Sequence, residues 1–248
     1  MRATRTMAGK QGNFHASYHS WIRSRTPKSE VRSHRIMTAL TRPTMLLLDF
    51  DGTLADSRAW ALQAVNEAAQ RFGFRSLSVD EAEALRGTGT AALLRALGLR
   101  PWQLPRIAAH LRAAAAAAMP PPLFPGVDAV LARLREGGIR LALVTSNSEA
   151  NARRAFGAET AARITDWACD AALMGKAARF RAVLRQARVP PGAAFAVGDE
   201  LRDIAAARAA GVAVGAVSWG YATPEALAAE RPDALFRAME EIPARFGL

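Results

Sequence analysis

The stretch Met45-Leu46-Leu47-Leu48-Asp49-Phe50-Asp51-Gly52-Thr53-Leu54 limits what this chain can fold into more than any other. An apolar run stops abruptly at two carboxylates one residue apart, followed by a glycine and a hydroxyl. Met45 to Leu48 reads as a strand buried on both faces, the kind parallel sheets use. The acids then stand at its carboxyl end, where open α/β sheets place their ligands. In extended chain Asp49 and Asp51 point the same way, because side chains alternate. Gly52 permits a turn that exposes main-chain N–H groups able to cradle a phosphate. In isolation the same pattern could be a strand end whose acids merely cap a loop, so the rest of the chain has to decide.

Residues 55–124 read as a purely helical block. A helix capped by Ser57 runs to about Phe72 and ends at Gly73. Further helices are expected from Ser78 or Asp80 to Arg86, from Thr90 to Leu97, and from Trp102 to Met119, the last with six consecutive alanines. Pro120-Pro121-Pro122 closes the block. Gly87-Thr88-Gly89-Thr90-Ala91-Ala92 imitates a dinucleotide fingerprint, but it follows a helix instead of a strand and lacks the later acid. It is read instead as a Gly-rich turn beside Arg86, suited to touching a substrate.

Beyond Phe124 strands and helices alternate. Gly126 to Glu136 is helical, Ile139 to Val144 a buried strand ending in Thr145-Ser146-Asn147-Ser148, and Glu149 to Phe156 a helix. A short strand lies within Asp166 to Leu173, and a helix opens at Met174-Gly175-Lys176 and runs to Arg188. Ala193 to Val197 is a strand ending in Gly198-Asp199-Glu200, Leu201 to Ala210 a helix, and Val212 to Val217 another strand. This alternation predicts a doubly wound parallel sheet. The expected organisation is a basic, disordered extension over 1–44, a Rossmann-like core from 45–54 and 125–248, and an inserted helical cap over 55–124.

The net charge of +11 suggests nucleic acid until it is located: residues 1–44 carry nine Lys/Arg against one acid, Glu30, and account for +8 of it. The remainder is nearly balanced, so nucleic-acid binding is disfavoured for the folded part, and an extension outside the true translation start is preferred for the tail. A single cysteine, Cys169, excludes an intrachain disulfide and fits a reducing, cytoplasmic setting. No apolar run has the length to span a membrane. The four histidines have no metal-ligand spacing.

Parallel strands deliver their carboxyl ends to one edge, so Asp49/Asp51, Thr145-Ser146-Asn147, Lys176 and Asp199 with Asp203 can converge. Several carboxylates with a hydroxyl, a lysine and N–H donors suit phosphoryl transfer around Mg²⁺, a hard cation that takes oxygen ligands. In order and spacing these four clusters resemble the haloacid dehalogenase superfamily, over roughly residues 45 to 240. The helical insert resembles the cap of the branch containing phosphoglycolate phosphatase and β-phosphoglucomutase. Gly175-Lys176-Ala177-Ala178 departs from it by lacking the proline often found after this lysine.

The resemblance implies roles. Asp49 is the nucleophile, and Asp51 the acid and then the base. Thr145 and Lys176 hold phosphoryl oxygens, with Gly52, Ser146 and Asn147 around them and Arg86 toward the rest of the substrate. Mg²⁺ sits on Asp49, the main-chain carbonyl of Asp51, and Asp199, with Asp203 in the metal shell or orienting Lys176. The second acid, Asp51, favours ester hydrolysis over dehalogenation, because an alkoxide needs a proton to leave. The expected function is a Mg²⁺-dependent phosphatase of a small phosphomonoester, as a monomer or homodimer. The alternatives are a phosphomutase of the same fold and, further off, a nucleic-acid binder using the tail.

Overall fold

The computed structural model describes residues 42–170 and 175–248; the expectation for the basic tail falls almost wholly outside them. Six strands form one parallel sheet: β1 (Met45–Leu48), β2 (Arg140–Val144), β3 (Asp166–Ala168), β4 (Ala194–Gly198), β5 (Ala213–Val217) and β6 (Ala234–Phe236). Their spatial order is β3-β2-β1-β4-β5-β6. The chain winds outward from β1 on one side, then returns to β4 on the other, so the order reverses at β1/β4. That reversal opens the crevice in which doubly wound sheets bind ligands.

The apolar runs behave as their composition dictates. All four residues of β1 are buried, with Leu46 and Leu48 on one face and Met45 and Leu47 on the other. The first face packs on Leu131 and Leu134 of α5 (Val127–Glu136) and on Phe156 of α6 (Glu149–Ala162). The second packs on Phe180 and Leu184 of α7 (Lys176–Ala187) and Ile204 of α8 (Leu201–Ala210). The β1/β4 register pairs Leu48 with Val197, so Asp49 leaves the sheet level with Gly198 and Asp199 follows one residue beyond.

The insert consists of α1 (Arg58–Phe72), α2 (Val79–Ala84), α3 (Thr90–Ala96) and α4 (Leu104–Ala117), the last entered through a 3₁₀ turn at Pro101–Gln103. No strand lies within it among the described residues. Its core is thin, and Ala64, Ala68, Ala69, Leu77, Leu97 and Ile107 supply its buried side chains.

Several boundaries move. The Trp102–Met119 helix gives up its first turn to the 3₁₀ segment and ends at Ala117. The helix expected to end at Phe156 resumes beyond a kink at Gly157, whose φ of 70° breaks the helical path. Ser57 occupies the N-cap position but bonds no helix amide, because its hydroxyl lies 3.0 Å from the Tyr221 hydroxyl instead. The short elements at the carboxyl end, α9 (Pro224–Ala229), β6 and α10 (Glu241–Ala244), were not anticipated. Among the described residues no helix is long and apolar enough to cross a membrane.

Candidate active site

Asp49 leaves β1 with its amide bonded to the Val197 carbonyl at 2.9 Å. Its Oδ1 accepts from the Phe50 amide at 2.8 Å, and its Oδ2 lies 2.6 Å from Lys176 Nζ. Lys176 opens α7 and reaches across to Asp203 Oδ1, also at 2.6 Å. Asp203 in turn accepts the amides of Asp199 and Glu200 on its Oδ2, at 3.2 and 3.0 Å. This closes the first turn of α8 and fixes the loop after β4. Asp199 is fully buried: Oδ1 accepts from the Thr53 hydroxyl at 2.8 Å and Oδ2 from the Tyr221 amide at 2.7 Å.

One oxygen each from Asp49, Asp199 and Asp203 lie within 4.8 Å of one another. Burial pushes the Asp49 carboxyl up to about 6 against the pull of Lys176. Burial, with Asp203 and Asp49 close by, raises Asp199 well above the carboxylate range. Burial also works against the charge of Lys176, but Asp203 and Asp49 outweigh it and hold the ammonium firmly protonated. Three buried acids facing one lysine are short of positive charge. An all-oxygen donor set of this kind fits a hard divalent cation such as Mg²⁺.

Two glycines make the close packing possible. A Cβ on Gly52 (φ 76°) would stand 2.2 Å from Asp199 Oδ2 and 2.4 Å from the Tyr221 ring, and one on Gly220 would stand 2.2 Å from Asp199 Cβ. Asp199 is therefore clamped between the turn after β1 and the loop after β5.

The Asp51 carboxylate stands outside the triad. It accepts from Asn147 Nδ2 at 3.1 Å, and burial raises its pKa against hydrogen bonds from Ser57 and Asn147. Thr145 is buried at the end of β2, its Oγ1 accepting the Asn147 amide at 3.0 Å, while Ser146 is exposed. The N–H groups expected to hold a phosphate lie near Gly52 and Asn147, whose own amides have partners within the protein. The first donates to the Ala55 carbonyl at 2.8 Å, closing the turn, and the second is spent on Thr145. The Asn147 side-chain amide donates to Asp51.

Arg86, expected to face substrate, lines the cleft between the insert and the sheet edge and is also bonded to the core. Its guanidinium donates to the carbonyls of Tyr221 (3.1 Å), Gly220 (2.9 Å) and Ala222 (3.2 Å), and pairs with Glu83. It fastens the insert to the loop that clamps Asp199. Tyr221 and Arg202 were missed. Both follow strands at the same sheet edge, a position that could have flagged them. Arg202 pairs with Glu200 and lies near enough to Asp49 and Asp51 to work against the rise that burial imposes on both.

Comparison with known proteins assigns this arrangement. A family model described as haloacid dehalogenase-like hydrolase matches residues 46–217. The chain belongs to that family. Within the haloacid dehalogenase-like hydrolases it is 31% identical to a phosphoglycolate phosphatase of Synechococcus elongatus, over 79% of this chain and 94% of the relative. It is also 33% identical to a Mycobacterium tuberculosis protein named tyrosine-protein kinase PtkA, over 72% of this chain and 63% of that one. Among solved structures, CbbY of Rhodobacter sphaeroides in complex with phosphate is 27% identical, with a TM-score of 0.64, covering 83% of this chain and all of that one. The chain is thus a phosphatase-type hydrolase of the phosphoglycolate phosphatase-like branch.

Proposed function

We propose that the protein hydrolyses a small phosphomonoester with Mg²⁺ through a phosphorylated Asp49. The observation that carries this reading is the division of labour between two acids one residue apart. Asp49 is held by Lys176 inside the acidic triad, while Asp51 stands outside it, with a raised pKa and its carboxylate steered by Asn147.

Mg²⁺ on Asp49, Asp199 and the Asp51 main-chain carbonyl would offset the charge of the phosphoryl oxygens. Asp203 holds Lys176 and the loop after β4. A carboxylate oxygen of Asp49 attacks phosphorus as the ester P–O bond breaks, and Asp51 gives its proton to the departing alkoxide. Asp51, now ionised, takes a proton from water. That water attacks the same phosphorus, the bond to Asp49 breaks, and inorganic phosphate leaves. Lys176 and the Thr145 hydroxyl face the transferring group as fixed donors, needing no reorganisation during the reaction.

The test is phosphate release from a panel of phosphomonoesters that includes 2-phosphoglycolate, with Mg²⁺ and with chelator. Metal-dependent release that Asp49→Asn abolishes is expected. Release that survives either chelation or the substitution would refute the mechanism.

A further inference from the structure

Between the insert and the sheet edge lies a cleft of about 680 Å³. Its walls are mostly aliphatic, with Leu62 and Val65 of α1, Ala82 of α2 and Leu93 of α3 among them, and its core side includes Arg202 and Tyr221. Asp49, Asp51, Thr145 and Lys176 do not line it, and Tyr221 stands between the cleft and the carboxylates, its ring against Gly52 and its amide on Asp199. A cleft this large suits a drug-sized ligand, and a two-carbon acid phosphate would fill little of it.

Its charges point the same way. Three cations line it. Arg58 lies 3.8 Å from Glu83, Arg86 is taken up by three carbonyls and Glu83, and Arg202 is paired with Glu200. Arg86 and Arg202 are thus engaged within the protein, whereas Arg58, half exposed and sharing Glu83 with Arg86, is held loosely.

We infer that this cleft receives an apolar alkyl or aryl group of the phosphoester, whose phosphate reaches Asp49 past Tyr221. The inference rests on the phosphatase reading and names its substrate class. An apolar body also gives the half-buried side chains of α1 and α3 a partner they lack within the thin insert.

The experiment is a series of straight-chain alkyl phosphates from methyl to octyl, set against 2-phosphoglycolate. kcat/KM should rise roughly three- to fourfold per added methylene until the cleft is filled, and the longer esters should exceed 2-phosphoglycolate. Ala82→Phe should flatten that dependence on length. In parallel, calorimetric binding of the same esters to Asp49→Asn separates recognition from turnover, and affinity there should also grow with length. Turnover that ignores chain length and favours 2-phosphoglycolate would overturn the inference and leave the phosphatase reading intact. If no ester is turned over, the phosphatase reading fails, and the binding series alone decides: affinity that does not grow with length overturns the inference too.

Discussion

Lys176 Nζ stands 2.6 Å from Asp49 Oδ2, joining the start of α7 to the end of β1 across the crevice. Its other contact, Asp203, is equally close, so one ammonium holds two buried carboxylates together. Removing one member of such a buried group leaves uncompensated charge, which costs about 3–5 kcal/mol. Lys176→Met should therefore abolish phosphate release and also lower the stability of the metal-free protein by that order. Urea denaturation in chelator checks it. A variant as stable as the parent would show that Lys176 does not hold the acids in place.

The raised pKa of Asp49 makes the metal-free fold sensitive to pH. Its folded value of about 6 lies above the ordinary aspartate value of 3.8. The folded state therefore binds more protons between the two, and this contribution to stability is full below the lower value and lost as pH rises through the upper one. Thermal melts in chelator should fall from about pH 4 to 6. Added Mg²⁺ should raise the melting temperature more at pH 7 than at pH 5, because the ionised carboxylates are its ligands. An Mg²⁺ shift independent of pH would contradict the assignment.

Arg86 should act as a latch. Arg86→Ala removes three hydrogen bonds from a charged donor to the Gly220–Ala222 loop. A loss of about 1.5–3 kcal/mol is expected, with weaker Mg²⁺ binding because the same loop holds Asp199. Arg86→Lys should recover part of both. Calorimetric metal titration of the two variants is the check, and unchanged metal affinity in Arg86→Ala would separate the insert from the metal site.

Gly52→Ala puts a side chain at φ 76° and directly against Asp199 and Tyr221. The backbone alone should cost about 1–3 kcal/mol, and activity should fall with it as Asp199 is displaced. A fully active, stable variant would mean that the clamp on Asp199 has slack.

The sheet was legible because β1, β2, β4 and β5 are short apolar runs buried on both faces, each bounded by turn residues. β6 was not: Ala234–Phe236 is three residues long and carries little pattern of its own. Asp49, Lys176, Asp199 and Asp203 were readable because parallel strands and the helices after them open on one edge, whatever their side chains touch. The contacts of Ser57 and Arg86 were not legible, for the opposite reason. Their partners, Tyr221 and the Gly220–Ala222 carbonyls, lie far along the chain, and local pattern says nothing about such contacts. Ser57 looks like a helix cap by position, and only the neighbouring Tyr221 hydroxyl diverts it.

The central claim is that phosphorus is transferred to Asp49, and the most direct measurement is to catch it there. In Asp51→Asn the acid needed for an alkyl leaving group is gone, but p-nitrophenolate departs without a proton, and the base for the water step is missing. Mass spectrometry of Asp51→Asn quenched after mixing with p-nitrophenyl phosphate and Mg²⁺ should find a phosphoryl group on the peptide carrying Asp49. Rapid turnover by the parent enzyme with no phosphorylated peptide from Asp51→Asn would contradict the account.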